Sequence, residues 1–109
     1  MTRATIDELE PAEVGRLMDA GLAHLIDVRE PAEYAAERIP GAALHPLSTF
    51  NAAALPVGDE RRIVFHCGSG NRSLKAAEKF LAAGRRPPAH LHGGLKAWKA
   101  AGLPVVGPK

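Results

Sequence analysis

The chain has 109 residues, enough for one domain around one core and short for two. Apolar residues make up 46% and charged residues 24%, the balance of an ordinary globular protein. A net charge of +2 with no basic run and no aromatic platform argues against a nucleic-acid partner, and no apolar stretch is long enough to span a membrane.

Met1 to Leu9 mixes charge and polarity without a signal-peptide core, so the expected location is cytoplasmic. Thr5-Ile6 reads as a short first strand, with Asp7 and Glu8 leading out of it. Val14, Leu17 and Met18 mark a helix face after Pro11, and Gly21 caps its end. Leu22 to Val28 is a second strand with Asp27 at its carboxyl end, followed by a short proline-started helix over Arg29 to Tyr34. The tetrad Glu-Pro-Ala-Glu occurs at 10–13 and again at 30–33. Each copy puts proline in a first helical turn with an acid at the positive dipole end, and nothing around them matches, so this is helix-start chemistry and not a repeat.

Arg38 to Leu44 turns into a third short strand ending near His45, and Leu47, Phe50 and Ala54 predict another short helix before a polar loop over 57–62. Ile63-Val64-Phe65 is a short buried strand. Behind it, Leu74, Ala77 and Leu81 recur at helical spacing and predict the core face of a helix from Ser73 to Ala83. Gly84 stops that helix, and Arg85 to Pro88 reads as a stiff exposed link. His90-Leu91-His92 is a fifth strand with Leu91 inward. Leu95 and Trp98 define one face of a last helix, with Lys96 and Lys99 outside, and the tail after Pro104 is expected to fray. Alternating strands and helices imply a parallel sheet covered on both faces, which binds ligands beyond the carboxyl ends of its strands. Asp27 and Cys67 both fall at such ends.

Between the fourth strand and its helix lie six residues, Cys67 to Arg72, two of them glycines. A thiol there faces the amino end of a helix, where the dipole and free N–H groups favour an anion and lower the thiol's pKa. Gly68 and Gly70 let the turn curl its N–H groups around the sulfur, and Arg72 adds a fixed charge and a fork of donors at the rim. Ser69, Asn71 and Ser73 cap the helix and offer further donors. A merely buried structural thiol needs neither the glycines nor the arginine, so Cys67 is read as a nucleophile. As the only cysteine, it excludes an intrachain disulfide, and the acceptor of anything it carries must come from outside. Asp27 is read as structural. His90 and His92 share a strand face and His66 precedes Cys67, but without acidic or thiolate companions at ligand spacing no metal site is expected. His66 is read as a strand histidine with its hydrogen bonds met.

Cys67-x4-Arg72 followed by Ser73 resembles the active-site loop of rhodanese-like sulfurtransferases, in which the cysteine takes up a sulfane sulfur as a persulfide and passes it to a nucleophilic acceptor. The nearest rival, the Cys-x5-Arg loop of protein tyrosine phosphatases, also often carries His before Cys. It is one residue longer, enough to wrap a phosphate group. Three further stretches resemble the rhodanese family in the right order: Leu25 to Arg29 with Glu33-Tyr34, Ile39 to Ala42, and Gly93 to Trp98 with Ala101 to Pro104. The chain departs from the pattern at Glu37-Arg38, where the family usually has Gly-His. Its loop opens Cys-Gly-Ser-Gly like the mercaptopyruvate-using branch and closes Asn-Arg-Ser like the small thiosulfate-type members.

The resemblance implies an α/β fold, rhodanese-like, with a five-stranded, mostly parallel sheet flanked by helices on both faces and residues 1–109 forming one domain. It implies sulfur transfer from thiosulfate or mercaptopyruvate through a Cys67 persulfide to cyanide, a thiol or a sulfur-carrier protein. Gly68, Ser69, Gly70, Asn71, Arg72 and Ser73 would hold the bound sulfur, Arg29 would assist an anionic donor at the same rim, and Asp27 would bond a neighbouring loop. No cofactor is implied. The alternatives are a protein-to-protein sulfur relay or binding module with little activity on small donors, and a phosphatase or arsenate reductase on the same scaffold, which the loop count and the lack of a second cysteine oppose.

Overall fold

The computed structural model describes residues 6–56, 58–84 and 87–107. Its centre is strand β4 (Arg62–His66), where Val64 and Phe65 are fully buried. β4 pairs in parallel with β2 (Ala23–Asp27) on one side and β5 (Ala89–Leu91) on the other. β3 (Ala43–Leu44) and β1 (Asp7–Leu9) form the edges, giving the order β1-β5-β4-β2-β3 with every strand parallel. All five carboxyl ends therefore lie along one border of the sheet.

The pleat sorts neighbouring residues to opposite faces. Leu25, Val64 and Leu91 pack with Val14, Leu95 and Trp98 under α1 (Pro11–Asp19) and α4 (Gly94–Ala100). Ile26, Ile63, Phe65 and Cys67 pack with Ala76, Ala77 and Phe80 of α3 (Asn71–Ala82). The short α2 (Pro31–Ala36) buries no residue and lies past the end of β2.

Several expectations are corrected. The first strand is Asp7–Leu9 and not Thr5-Ile6 (Thr5 lies outside the described residues), because Leu9 is the residue that reaches the core while Asp7 and Glu8 blunt the sheet edge with charge. The helix expected over Leu47 to Ala54 is two single 3₁₀ turns, Leu47–Thr49 and Ala52–Ala54. Phe50 between them is extended (φ −60°, ψ 130°), which brings its ring edge-on to Phe65 at 5.7 Å. Arg62 belongs to β4, not to the preceding loop.

The core stripe of α3 is Ser73, Ala76, Ala77 and Phe80, whereas Leu74 is 40% exposed and Leu81 only half-buried. Of the expected exposed link, Arg85 and Arg86 lie outside the described residues. Pro88 is buried, and its carbonyl accepts the Asp7 N–H at 3.2 Å. Nor does the tail fray at once, since Val106 and Arg38 exchange two backbone hydrogen bonds of 2.8 Å.

Candidate active site

The loop after β4 is shaped from below by α4. Leu95 N–H donates to the Cys67 carbonyl at 2.8 Å and Lys96 N–H to the Gly68 carbonyl at 3.1 Å. With its carbonyls turned down to this helix start, the loop presents N–H groups upward to the sulfur. Gly70 takes a left-handed φ of +114°, which few other residues tolerate, and begins α3.

Its N–H points at Cys67 Sγ from 3.1 Å, and the Ser73 N–H does so from 3.4 Å. The Ser73 hydroxyl stands 3.7 Å from the sulfur. Burial alone raises the pKa of this thiol, which is 1% exposed, but the Ser73 N–H and hydroxyl with the N–H groups of Gly70 and Ser69 outweigh it and leave the thiol below its ordinary value. Such a sulfur is a thiolate more readily than a free cysteine, and it is held where added negative charge is also stabilised.

Arg72 stands at the rim but is not a free charge. Its guanidinium forks onto Glu33 of α2, Nη1 to Oε1 at 2.7 Å and Nη2 to Oε2 at 2.9 Å. The Arg72 bonds, and then the Glu30 N–H at 2.9 Å, hold the Glu33 carboxyl down to about 2, while Glu33 raises Arg72 in return. Glu33 was legible only as part of a signature. Its position three residues after Glu30, at a helix start, is the signal of a capping arrangement that fixes it there. Ser69 and Asn71 are exposed on the rim.

Arg29 is corrected outright as a rim residue. It is 4% exposed, its Nε and Nη2 bond the Asp27 carboxylate at 3.0 and 2.8 Å, and Nη2 also donates to the Glu37 carbonyl at 2.6 Å. Its Nε and Nη2 donors are engaged inside the protein and the side chain is buried, which sets it back from the rim. Burial works to raise the Asp27 carboxyl, yet the neighbouring His66 and the hydrogen bonds from Arg29 win and hold it well below the carboxylate range. His66 lies between the two halves of the site: Nδ1 is 3.2 Å from the Cys67 carbonyl and Nε2 is 3.3 Å from Asp27 Oδ2. The second approach is an ion-pair distance without hydrogen-bond geometry, so among the described residues Nε2 has no hydrogen-bond partner. The expectation of a fully satisfied His66 is thereby corrected.

A second histidine, His90, reaches the loop unforeseen. Its Nδ1 is 3.1 Å from the Ser73 hydroxyl, and on its far side Nε2 is 3.3 Å from Glu8, which also meets His92 at 3.2 Å. The sequence argument that the histidines lack an acidic companion fails here, because β1 pairs with β5 and sets Glu8 opposite His90. Among the described residues no group of three or more His, Cys, Asp or Glu has metal-holding geometry. The signal for His90 was a titratable residue in a strand too short to spare an interior position. Beside the loop runs an open cleft lined by Gly68, Leu95, Lys96 and Lys99. No helix among the described residues is long and apolar enough to cross a membrane.

Comparison with known proteins shows the family. The Rhodanese-like domain family matches residues 10–101. A Synechocystis protein described as uncharacterized is 41% identical over 98 residues, covering 90% of this chain and 55% of its own length. A protein of Allochromatium vinosum named Sulfurtransferase is 35% identical over 94 residues, covering 86% of this chain and 88% of its own. Among solved structures, the thiosulfate sulfurtransferase of Pseudomonas aeruginosa superposes with a TM-score of 0.79 at 30% identity, over 97% of this chain and 20% of that one. The chain thus spans about half of the Synechocystis relative and nearly all of the Allochromatium one.

Proposed function

The chain belongs to the rhodanese-like domain family, and from that premise we propose that it is a sulfurtransferase working through a persulfide on Cys67. The Cys67 thiolate attacks the outer sulfur of a donor such as thiosulfate. The donor's S–S bond breaks and sulfite leaves with the electron pair, so the enzyme holds Cys67–S–S⁻. The nucleophilic acceptor (cyanide, a thiol or a carrier protein) then attacks the terminal sulfur, and the Cys67 thiolate is restored.

The observation that carries this reading is the convergence of the Gly70 and Ser73 N–H groups on Sγ while α4 binds the carbonyls of the same loop. Donors fixed before the reaction stabilise charge on sulfur without reorganising. Four residues between Cys67 and Arg72 suit a cup for one sulfur rather than a phosphate group. The names of the Allochromatium and Pseudomonas relatives support sulfur transfer, and the second supports thiosulfate as a donor. A reducing, cytoplasmic setting fits, because it keeps a lone thiol free.

A protein acceptor or protein donor is the second reading, favoured by the open cleft beside Gly68 with Lys96 and Lys99 on its border. The deciding experiment is intact mass after incubation with thiosulfate, for the native chain and for Cys67→Ser. The native chain gains one sulfur, about 32 Da, that cyanide or a thiol removes, and the variant gains none. If neither gains mass with thiosulfate or mercaptopyruvate, yet the native chain gains it from a cysteine desulfurase, the relay reading replaces the small-donor one. No gain from any of the three rejects both.

A further inference from the structure

From Cys67, a line of polar atoms leads through the protein to its surface at Glu8. The sulfur lies 3.7 Å from Ser73 Oγ, that oxygen 3.1 Å from His90 Nδ1, and His90 Nε2 3.3 Å from Glu8 Oε2. Cys67, Ser73 and His90 are buried, and Glu8 and His92 at the far end are more than half exposed. We propose that His90 is a positioning residue that takes the Cys67 proton through the Ser73 hydroxyl, with Glu8 holding the resulting imidazolium. This rests on Cys67 being the nucleophile.

The exchange balances within the chain. In the resting form the Nε2 proton faces Glu8 at ion-pair distance, which leaves Nδ1 free to accept the Ser73 hydroxyl proton, and Ser73 Oγ faces the thiol S–H. When the S–H bond breaks, its proton passes to Ser73 Oγ while the hydroxyl's own proton passes to Nδ1. The imidazolium then pairs with Glu8 through Nε2 and donates from Nδ1 to Ser73, and the Ser73 hydroxyl now donates to the thiolate. The hydroxyl thus reverses from a partner of the thiol to a partner of the thiolate, and no outside reagent is needed.

Among the described residues, the Gly70 carbonyl at 3.0 Å competes for its proton. The charged and titratable groups bearing on His90 are Glu8 on β1, His92 beyond its own strand and, through Ser73, Cys67 beyond β4. Burial lowers the His90 pKa more than Glu8 raises it, which favours the neutral ring with Nδ1 able to accept. Sulfur and imidazole then titrate as a coupled pair.

The test is the rate of alkylation of Cys67 by iodoacetamide from pH 5 to pH 10 in the native chain, His90→Asn and Glu8→Gln. Asparagine can hydrogen-bond Ser73 but cannot take up a proton. His90→Asn is expected to move the acid limb upward, with about a tenfold rate loss at pH 6.5 for each unit moved, and to match the native rate at pH 10. Glu8→Gln, a surface change, moves it the same way by less. In the native chain, the His90 ring followed by NMR titrates at higher pH than in Cys67→Ser.

Superimposable profiles overturn the proposal, and so does a rate loss equal at every pH, which is the mark of a merely structural role. If His90→Asn does not fold, an unchanged Glu8→Gln profile together with an unchanged His90 titration overturns it. Alkylation needs no sulfur donor, so the two readings fail separately. Persulfide formation with unaltered profiles removes the relay alone, and shifted profiles without any persulfide remove sulfur transfer alone.

Discussion

Gly94 lies directly beneath Cys67: a Cβ added at Gly94 would stand 2.5 Å from the Cys67 carbonyl oxygen and 2.7 Å from the carbonyl of Gly68. The contact is backbone on backbone, so no side chain can give way. It is also what lets the start of α4 bind both carbonyls and turn the loop's N–H groups toward the sulfur.

Gly94→Ala meets both this overlap and a φ of +61°, whereas Gly21→Ala meets a φ of +71° in open space. The second change isolates strain and is expected to cost about 1–2 kcal/mol with sulfur transfer intact. The first is expected to cost about 3 kcal/mol or more and to reduce persulfide formation at least tenfold, roughly one displaced charge-stabilising donor. Thermal denaturation and mass after thiosulfate read the two effects. Equal losses in both variants would mean that the loop does not lean on Gly94.

The Arg72–Glu33 fork makes a pH prediction. The Glu33 pKa is depressed in the folded state, to about 2, so the stability it adds is present above the ordinary carboxylate pKa and fades as pH falls toward 2. Both side chains are more than a third exposed, and solvent screening keeps the contribution under about 1 kcal/mol. Glu33→Gln is therefore expected to unfold slightly earlier in urea at pH 7 and together with the native chain near pH 2. The same change frees the Arg72 charge, and KM for thiosulfate is expected to fall by about two- to fivefold, matching that energy. A rise in KM would instead show that Glu33 positions Arg72 for the donor.

The border carrying Asp27 and Cys67 was legible because strand–helix alternation and a lone cysteine between glycines are local signals. Arg29 was not legible in the same way. A charged residue two positions after a strand reads as a loop arginine until Asp27 and the Glu37 carbonyl are seen to enclose it. His90 and Glu8 are 82 residues apart and meet only through the β1–β5 register, which no short-range pattern encodes. On α3, two staggered stripes share Ala77, and the leucine-bearing stripe looked more apolar than the one holding Phe80. Phe80 wins because its ring meets Phe65 edge-on at 5.5 Å.

The buried Asp27–Arg29 pair predicts an asymmetry between breaking and removing it. Arg29→Met leaves a buried carboxylate without its main partner and is expected to cost about 3–5 kcal/mol. Adding Asp27→Asn is expected to recover part of that loss. Asp27 is held below its ordinary value when folded, so its stabilisation exists at neutral pH and is lost as pH drops below the carboxylate range. Urea midpoints at pH 7 and pH 3 are expected to differ less in Asp27→Asn than in the native chain. An Arg29→Lys chain that stays folded but shows a raised KM for thiosulfate would return Arg29 to the donor site.

The α3 stripe is tested by truncation on each side of it. Phe80 is fully buried and meets Phe65 edge-on, and Phe65 also meets Phe50, so Phe80→Ala opens a cavity at one end of an aromatic row. The expected cost is about 3–5 kcal/mol. Leu74, at 40% exposure, loses little on truncation, and Leu74→Ala is expected to cost under about 1 kcal/mol. Phe80→Ala should also loosen the first turn of α3, because Ser73 shares its stripe and its N–H faces the sulfur. Alkylation of Cys67 at pH 7 is therefore expected to slow with Phe80→Ala and to stay unchanged with Leu74→Ala. The opposite ranking in urea unfolding would put the leucine stripe on the core and rotate α3 about its axis, taking the Ser73 donor away from the sulfur.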